Sequence, residues 1–228
     1  MRGYAKVLTV VAAAALTATT AACTSSPGGS DTKSVSGKKP AGAFSTLTGI
    51  TTTVVFDPGF VAALGTLKLT PTPFGTAKIK KVGTNTEAVF PITGGKATVY
   101  AKGDVTPYVQ GEVDHDGSGL TLTAGPASSP TKVTIMNFAI HPGTNSTLTG
   151  DVAIDGGTPL HSVKLFDLDG GTLKTPTISK AGVVTLQGTT IYLSTEAANA
   201  LNGVFKTNAL AGGKKVKVGT AIIMATGK

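Results

Sequence analysis

The stretch Thr52–Ile79 reads TTVVFDPGFVAALGTLKLTPTPFGTAKI, and Thr189–Ile223 reads TTIYLSTEAANALNGVFKTNALAGGKKVKVGTAII. Each stretch predicts a strand led by two threonines, a short helix that contains Ala-Leu, a glycine, and a second strand that opens with Gly-Thr-Ala-x-Ile. Asp57 precedes the first predicted helix and Ser194 the second, and both residue types favour a helix start. The two copies predict a pseudo-symmetric strand-helix-strand repeat whose first and last units pack as equivalents.

The remainder of residues 46–228 shows short runs of alternating apolar residues, separated by Gly, Pro, Asp and Asn. Turn signals at this spacing are typical of a β-sandwich. Two of them, Gly94-Gly95 and Asp116–Gly119, predict hairpins because Gly and Asp favour tight turns. The sequence therefore predicts an all-β domain over residues 46–228, an antiparallel β-sandwich with two short helices.

The first 23 residues have the pattern of an export signal. A basic start is followed by an apolar run, Val7–Thr19, and by the small residues Thr20-Ala-Ala before Cys23, the one cysteine of the chain. This order predicts a secretory signal. The run is too short and too rich in Ala and Thr for a lasting membrane span, which needs about 20 strongly apolar residues.

The segment Thr20–Cys23 resembles the lipobox of bacterial lipoproteins. The resemblance implies that residues 1–22 are removed and that Cys23 carries a lipid anchor on the extracytoplasmic face of the cell membrane. An ordinary secretory signal with a chance cysteine is the alternative. Residues 23–45 are rich in Ser, Gly, Pro and Lys, so they predict a flexible tether.

The charge of the chain favours anionic surfaces as partners. Lys and Arg total 20 against 12 acidic residues, and the one arginine, Arg2, lies in the leader. Lysine-rich basicity predicts attraction to an anionic envelope polymer or to the membrane surface. It does not indicate nucleic-acid binding, which depends on arginine and on stacked aromatic residues.

Two Asp-rich segments are candidate calcium loops. Asp114–Gly119 and Asp167–Gly171 both place acidic residues and glycine close together, as tight cation loops do. The first lacks the later acidic ligand, because Leu120–Ala124 is LTLTA. Both segments therefore favour a turn, and no metal site is predicted.

The histidines and possible nucleophiles indicate no catalytic site. His115, His141 and His161 lack the spacing of zinc ligands, and each lies near a turn residue, which favours surface or strand-end positions. The sequence has no Gly-x-Ser-x-Gly nucleophile motif. The prediction is a protein that is not an enzyme, with a hydrolase assembled from distant residues as the second alternative.

Residues 108–155 resemble a known family. Tyr108–Leu120 reads YVQGEVDHDGSGL and is followed by Val133–Ile140 and Leu148–Val152. These segments resemble the core of HtaA-type domains, which are actinobacterial surface haem-binding β domains. The resemblance implies that the chain carries haem or another small ligand, with His115 in its pocket.

The resemblance also indicates where a haem-ligating tyrosine would lie. In the family this tyrosine lies in the first strand-to-helix segment, which here is Phe56–Phe60 and contains no tyrosine. Tyr108 and Tyr100 are then the candidate ligand residues beside His115. The leading hypothesis is a non-enzymatic, membrane-anchored envelope binding or structural module without a cofactor, and the HtaA-like haem or small-ligand carrier is the first alternative.

Overall fold

The computed structural model describes residues 37–213 and 216–228, which form one curled antiparallel sheet of thirteen strands and two short helices. The strands are β1 Gly42–Phe44, β2 Leu47–Phe56, β3 Thr70–Gly75, β4 Lys78–Val82, β5 Asn85–Pro91, β6 Gly94–Val99, β7 Val109–Ala124, β8 Thr131–His141, β9 Thr147–Ile154, β10 Leu160–Asp169, β11 Thr177–Ile178, β12 Val184–Leu193 and β13 Lys217–Gly227; the helices are α1 Pro58–Thr66 and α2 Thr195–Phe205.

The strand order places both helices at one end of the sheet. The order is β1-β6-β7-β8-β9-β10-β12-β13-β2-β5-β4, with β3 beside β7 and β11 beside β12. Strand β13 lies between β12 and β2, and it begins where those two strands end and lead into α2 and α1. We call this end the helix end. The opposite end, the loop end, carries the connections 100–108, 142–146 and 170–176.

The predicted all-β fold with two short helices is confirmed, and its sandwich-like form comes from one sheet that curls over its own inner face. The core consists of the inward-facing residues of this sheet and the helix residues packed on it. Neither helix of the described residues has the length and apolarity that crossing a bilayer requires.

Both predicted helix starts are confirmed. The Asp57 carboxylate accepts a hydrogen bond from the Gly59 backbone N–H at 2.9 Å. The Ser194 hydroxyl oxygen accepts one from the Ala197 N–H at 3.0 Å and donates to the Lys164 carbonyl at 2.9 Å. These bonds satisfy N–H groups that lack a partner within the helix.

The two repeat units share their element order but not their packing, so the predicted equivalence is wrong. After α2, the strand β13 pairs directly with β12. After α1, the chain instead forms β3, which pairs with β7, and β4, which pairs with β5. The physical reason is that β2 already has β13 and β5 on its two edges, so neither edge is free for β3.

Both predicted hairpins are also wrong. Strand β7 runs without a break through Asp116–Gly119, with a bulge between His115 and Gly119. Gly95 lies inside β6, where an added Cβ would collide with the Glu112 carbonyl oxygen of β7. Glycine at these positions allows two strands to approach closely or a strand to bulge, and it does not reverse the chain.

Residues 37–45, the end of the predicted tether, are among the described residues. Gly42–Phe44 forms β1 on the edge of β6, with Gly42 opposite Val99. The carbonyl oxygen of the last residue, Lys228, accepts a hydrogen bond from the Ser45 N–H at 2.7 Å. The predicted signal peptide, Cys23 and most of the predicted tether lie outside the described residues.

Candidate functional site

The interior of the curled sheet contains a cavity of about 1070 Å³. It extends from beneath α1 and α2 at the helix end to the connections at the loop end. Most of its wall is apolar, because most of the side chains that line it belong to the hydrophobic core. Examples are Val54, Phe90, Val133, Ile135, Leu165 and Ile191.

Strand β8 shows how the sequence builds this wall. Val133 and Ile135 alternate inward, as expected for a strand, and both line the cavity. Asn137 then adopts a positive φ of 53°, and the pairing shifts register between Met136 and Ala139. The irregularity returns Phe138 to the inner face, so the strand curves without losing its apolar lining.

The size of the cavity has an energetic consequence. Cavities in apolar cores destabilise a protein by about 24 cal/mol per Å³. A ligand that filled the apolar part of the cavity would therefore stabilise the fold.

His115 lies in the cavity wall and is 1% exposed, so the prediction of a surface or strand-end histidine is wrong for this residue. Its Nδ1 lies 3.2 Å from the Phe138 carbonyl oxygen and its Nε2 lies 2.7 Å from Thr52 Oγ1. A carbonyl only accepts, so Nδ1–H donates to Phe138 and Nε2 accepts from the Thr52 hydroxyl. Burial lowers the pKa of His115 to about 4, which favours this neutral form.

The other two histidines lie elsewhere. His141 Nδ1 is 3.1 Å from Glu112 Oε2 and its Nε2 is 2.9 Å from Thr149 Oγ1. His161 is largely exposed, and its Nδ1 is 3.1 Å from Asp151 Oδ2. Across residues 37–213 and 216–228, no three His, Cys, Asp or Glu side chains converge in a way that would hold a metal ion.

The acidic segment around Asp114 belongs to the bulge of β7 rather than to a cation loop. The Asp116 N–H donates to the Thr93 hydroxyl at 2.8 Å, and the Gly117 N–H donates to Asn137 Oδ1 at 2.9 Å. Burial and the neighbouring carboxylates Glu112 and Asp116 raise the pKa of Asp114. These contacts tie the bulge to the neighbouring strands.

The two candidate tyrosines have different surroundings. Tyr108 lines the cavity at the loop end, where its hydroxyl donates to the Leu173 carbonyl at 3.0 Å and burial raises its pKa. Tyr100 is buried but does not line the cavity. Tyr108 directly precedes β7, and His115 lies seven residues further along the chain, which corresponds to about 23 Å at ~3.3 Å per residue of strand. The structure therefore does not bring Tyr108 and His115 together.

The residues of the cavity do not fit an iron-ligated haem. Both ring nitrogens of His115 already have hydrogen-bond partners, and the Tyr108 hydroxyl donates to a carbonyl. The rings of Phe56 and Phe60, in the segment where the resemblance implied a ligating tyrosine, lie 5.9 Å apart. An iron atom would have to displace an existing contact to gain a protein ligand here.

Polar and charged residues of the cavity wall include several that sequence reasoning missed. Thr52 is 3% exposed and follows the inward alternation of β2, a signal that the sequence contained. Lys164 and Lys102 also line the cavity. Lys164 Nζ is 2.9 Å from Asp167 Oδ1 and 3.7 Å from Glu196 Oε2, so its charge is compensated.

Comparison with known proteins gives one similar solved structure. No protein-family model and no curated protein matches the chain. Among solved structures, the C-terminal domain of HtaA from Corynebacterium glutamicum is similar, with a TM-score of 0.46 and 12% sequence identity. The match covers 79% of this chain and 98% of that domain.

Proposed function

We propose that this chain is a non-enzymatic binding module of the bacterial envelope, anchored at Cys23, and that its domain holds one largely apolar molecule inside the sheet. The observation that carries the proposal is the interior cavity of about 1070 Å³ with its apolar wall. Ligand pockets of proteins are typically about 300–1,000 Å³, mostly apolar, with a few placed polar groups. The cavity lies just above this range in volume and matches the description in lining.

The polar groups in the wall support binding rather than turnover. The neutral His115 is held between Thr52 and Phe138, and Lys164 is held by two carboxylates. A general base needs an available lone pair near a reacting atom, whereas the Nε2 lone pair of His115 is already used. These contacts favour an apolar interior that retains a molecule without altering it.

Two measurements test whether the cavity takes a ligand. Native mass spectrometry of the purified mature chain should show a co-purified small molecule or one-to-one uptake of an added apolar probe such as 1-anilinonaphthalene. The probe should also raise the melting temperature, because it binds the folded state alone. If the probe neither binds nor stabilises the protein, and no bound mass is present, the proposal fails.

A matched pair of variants locates the binding in the cavity. Val133 lines the cavity and Val99 does not, and the two side chains are similarly buried, at 2% and 1% exposure. Val133→Phe should be tolerated and should weaken probe binding, because the ring enters open space. Val99→Phe should destabilise the fold by about 1–3 kcal/mol through overpacking and leave probe affinity unchanged. Equal destabilisation of both variants would argue against an open interior.

The proposed location has its own test. Mass spectrometry of the mature protein should show an N-terminal Cys23 that carries acyl chains, and Cys23→Ser should release the protein from the membrane fraction. An unmodified cysteine, or a mature N-terminus elsewhere, would remove the lipoprotein assignment. This outcome would leave the cavity proposal untouched, because that proposal depends on the domain alone.

A further inference from the structure

We propose that the ligand is an amphipathic anion, a long-chain carboxylate or phosphate ester, whose chain fills the cavity and whose head group lies at Lys102. This inference rests on the proposed binding function and adds the chemical class and the orientation of the ligand.

The first observation is the environment of Lys102 at the loop end. Its Nζ lies 3.4 Å from the Leu173 carbonyl oxygen and 5.9 Å from the centroid of the Tyr108 ring. No carboxylate lies within 4 Å of this Nζ among residues 37–213 and 216–228. Two neutral partners leave the ammonium charge uncompensated, and they hold it at the end of an apolar cavity.

The second observation is that the cavity reaches the surface among polar residues at this end. Strands β7 and β9 begin here and β8 and β10 end here, so the connections 100–108, 142–146 and 170–176 lie together. The Tyr108 hydroxyl donates to the Leu173 carbonyl and joins two of these connections, and the Leu168 N–H donates to the Ser146 carbonyl and joins the third to β10. Exposed residues that line the cavity here include Lys102, Thr144 and Asn145.

The third observation is the contrast with the helix end. There the exposed lining residues include Ile154 and Leu160, which are 43% and 65% exposed. Apart from the ion-paired Lys164, the helix end of the cavity is therefore apolar, whereas the loop end carries Lys102, with Asp167 and Asp169 also in its lining. This gradient matches a molecule with an apolar chain and one anionic head.

The fourth observation relates the loop end to the predicted anchor. Lys38 Nζ is 3.2 Å from Asp104 Oδ1, and Asp104 belongs to the same connection as Lys102. The chain thus enters the domain beside the opening. Fifteen residues separate Cys23 from Lys38, a distance of at most about 54 Å when fully extended. A membrane-bound Cys23 would keep the opening near a source of amphipathic anions.

The experiment compares head groups on one chain length. Hexadecanoate, hexadecyl phosphate and hexadecan-1-ol compete with the apolar probe for the mature chain, for Lys102→Gln and for the control Lys132→Gln. Lys132 is an exposed lysine of β8 that does not line the cavity. At least one anion should bind the wild type about three- to tenfold more tightly than the alcohol, a difference of about 0.7–1.4 kcal/mol.

The pattern across the variants decides the result. Lys102→Gln should lose the preference for the anion while it keeps its affinity for the alcohol, and Lys132→Gln should resemble the wild type. The wild-type preference should also decrease as salt is raised, because the head group is near solvent. The inference is overturned if neither anion exceeds the alcohol, or if the preference survives in Lys102→Gln. If neither the two anions nor the alcohol binds, the proposed function itself fails.

Discussion

Replacing His115 with glutamine should change how the stability of the protein depends on pH. The pKa of His115 is about 4 in the folded protein and 6.5 as a free side chain. Between these pH values the unfolded chain binds one proton that the folded protein does not, so wild-type stability decreases as pH falls through this window. At about 1.36 kcal/mol per pH unit, the total decrease is about 3 kcal/mol from pH 7 to pH 4.

The variant should lack this contribution. At pH 7.5 His115→Gln should be less stable than the wild type by about 1–3 kcal/mol, because the Thr52 hydroxyl and the Phe138 carbonyl lose their buried partner. Toward pH 4 the deficit should shrink by about 3 kcal/mol and can reverse its sign. Carboxyl groups with shifted pKa values, such as Asp57 and Asp151, titrate in both proteins and cancel in the difference.

Urea unfolding at several pH values, followed by far-UV circular dichroism because the chain has no tryptophan, measures the difference. The wild type, measured at the same pH values, is the reference. A deficit for His115→Gln that stays constant to within about 0.5 kcal/mol from pH 7.5 to pH 4 would refute a histidine held neutral by burial.

Two further predictions concern the helix starts and the bulge. Ser194→Ala should lower the free energy of unfolding by about 2 kcal/mol or more, because the Ala197 N–H and the Lys164 carbonyl lose a fully buried hydroxyl partner. Asp57→Ala removes a more exposed cap and should lower it by about 1 kcal/mol. Comparable urea midpoints for the two variants would contradict this ranking. Gly119→Ala should destabilise the protein by more than about 2 kcal/mol, because the added Cβ would collide with backbone atoms of β8. Gly65→Ala on α1 should stabilise it slightly, because nothing lies within 4 Å of the added Cβ. Thermal melts of both variants test the contrast, and a harmless Gly119→Ala would show that the strands can separate there.

Sequence reasoning succeeded where the decisive chemistry is local. The caps Asp57 and Ser194 determine the helix starts through contacts two or three residues away, and a window of sequence contains both partners. Alternation along the strands likewise predicted an all-β chain. The order of the strands could not be predicted from local patterns, because β2 pairs with β13, whose residues lie far along the chain.

The glycines show why the hairpins failed. Gly95 and Gly119 are needed where a neighbouring strand comes close, and a one-dimensional pattern does not distinguish this need from a turn. His115 was predicted to lie at the surface because it is near the turn residue Gly117, although the alternation of Val109, Val113 and His115 indicated an inward position. The cavity left no trace in the sequence, because Val133 and Ile135 alternate in the same way whether the interior is filled or hollow.

The position of β13 has a consequence for how the protein forms. This strand comprises nearly the last residues of the sequence, yet it is an internal strand whose two edges hold β12 and β2 together. Strand β2 therefore pairs with residues some 170 positions later in the sequence, and such distant pairing slows folding. A chain without β13 lacks the strand that joins β12 to β2, so deletion of residues 219–228 would separate β2, β5 and β4 from the rest of the strand order.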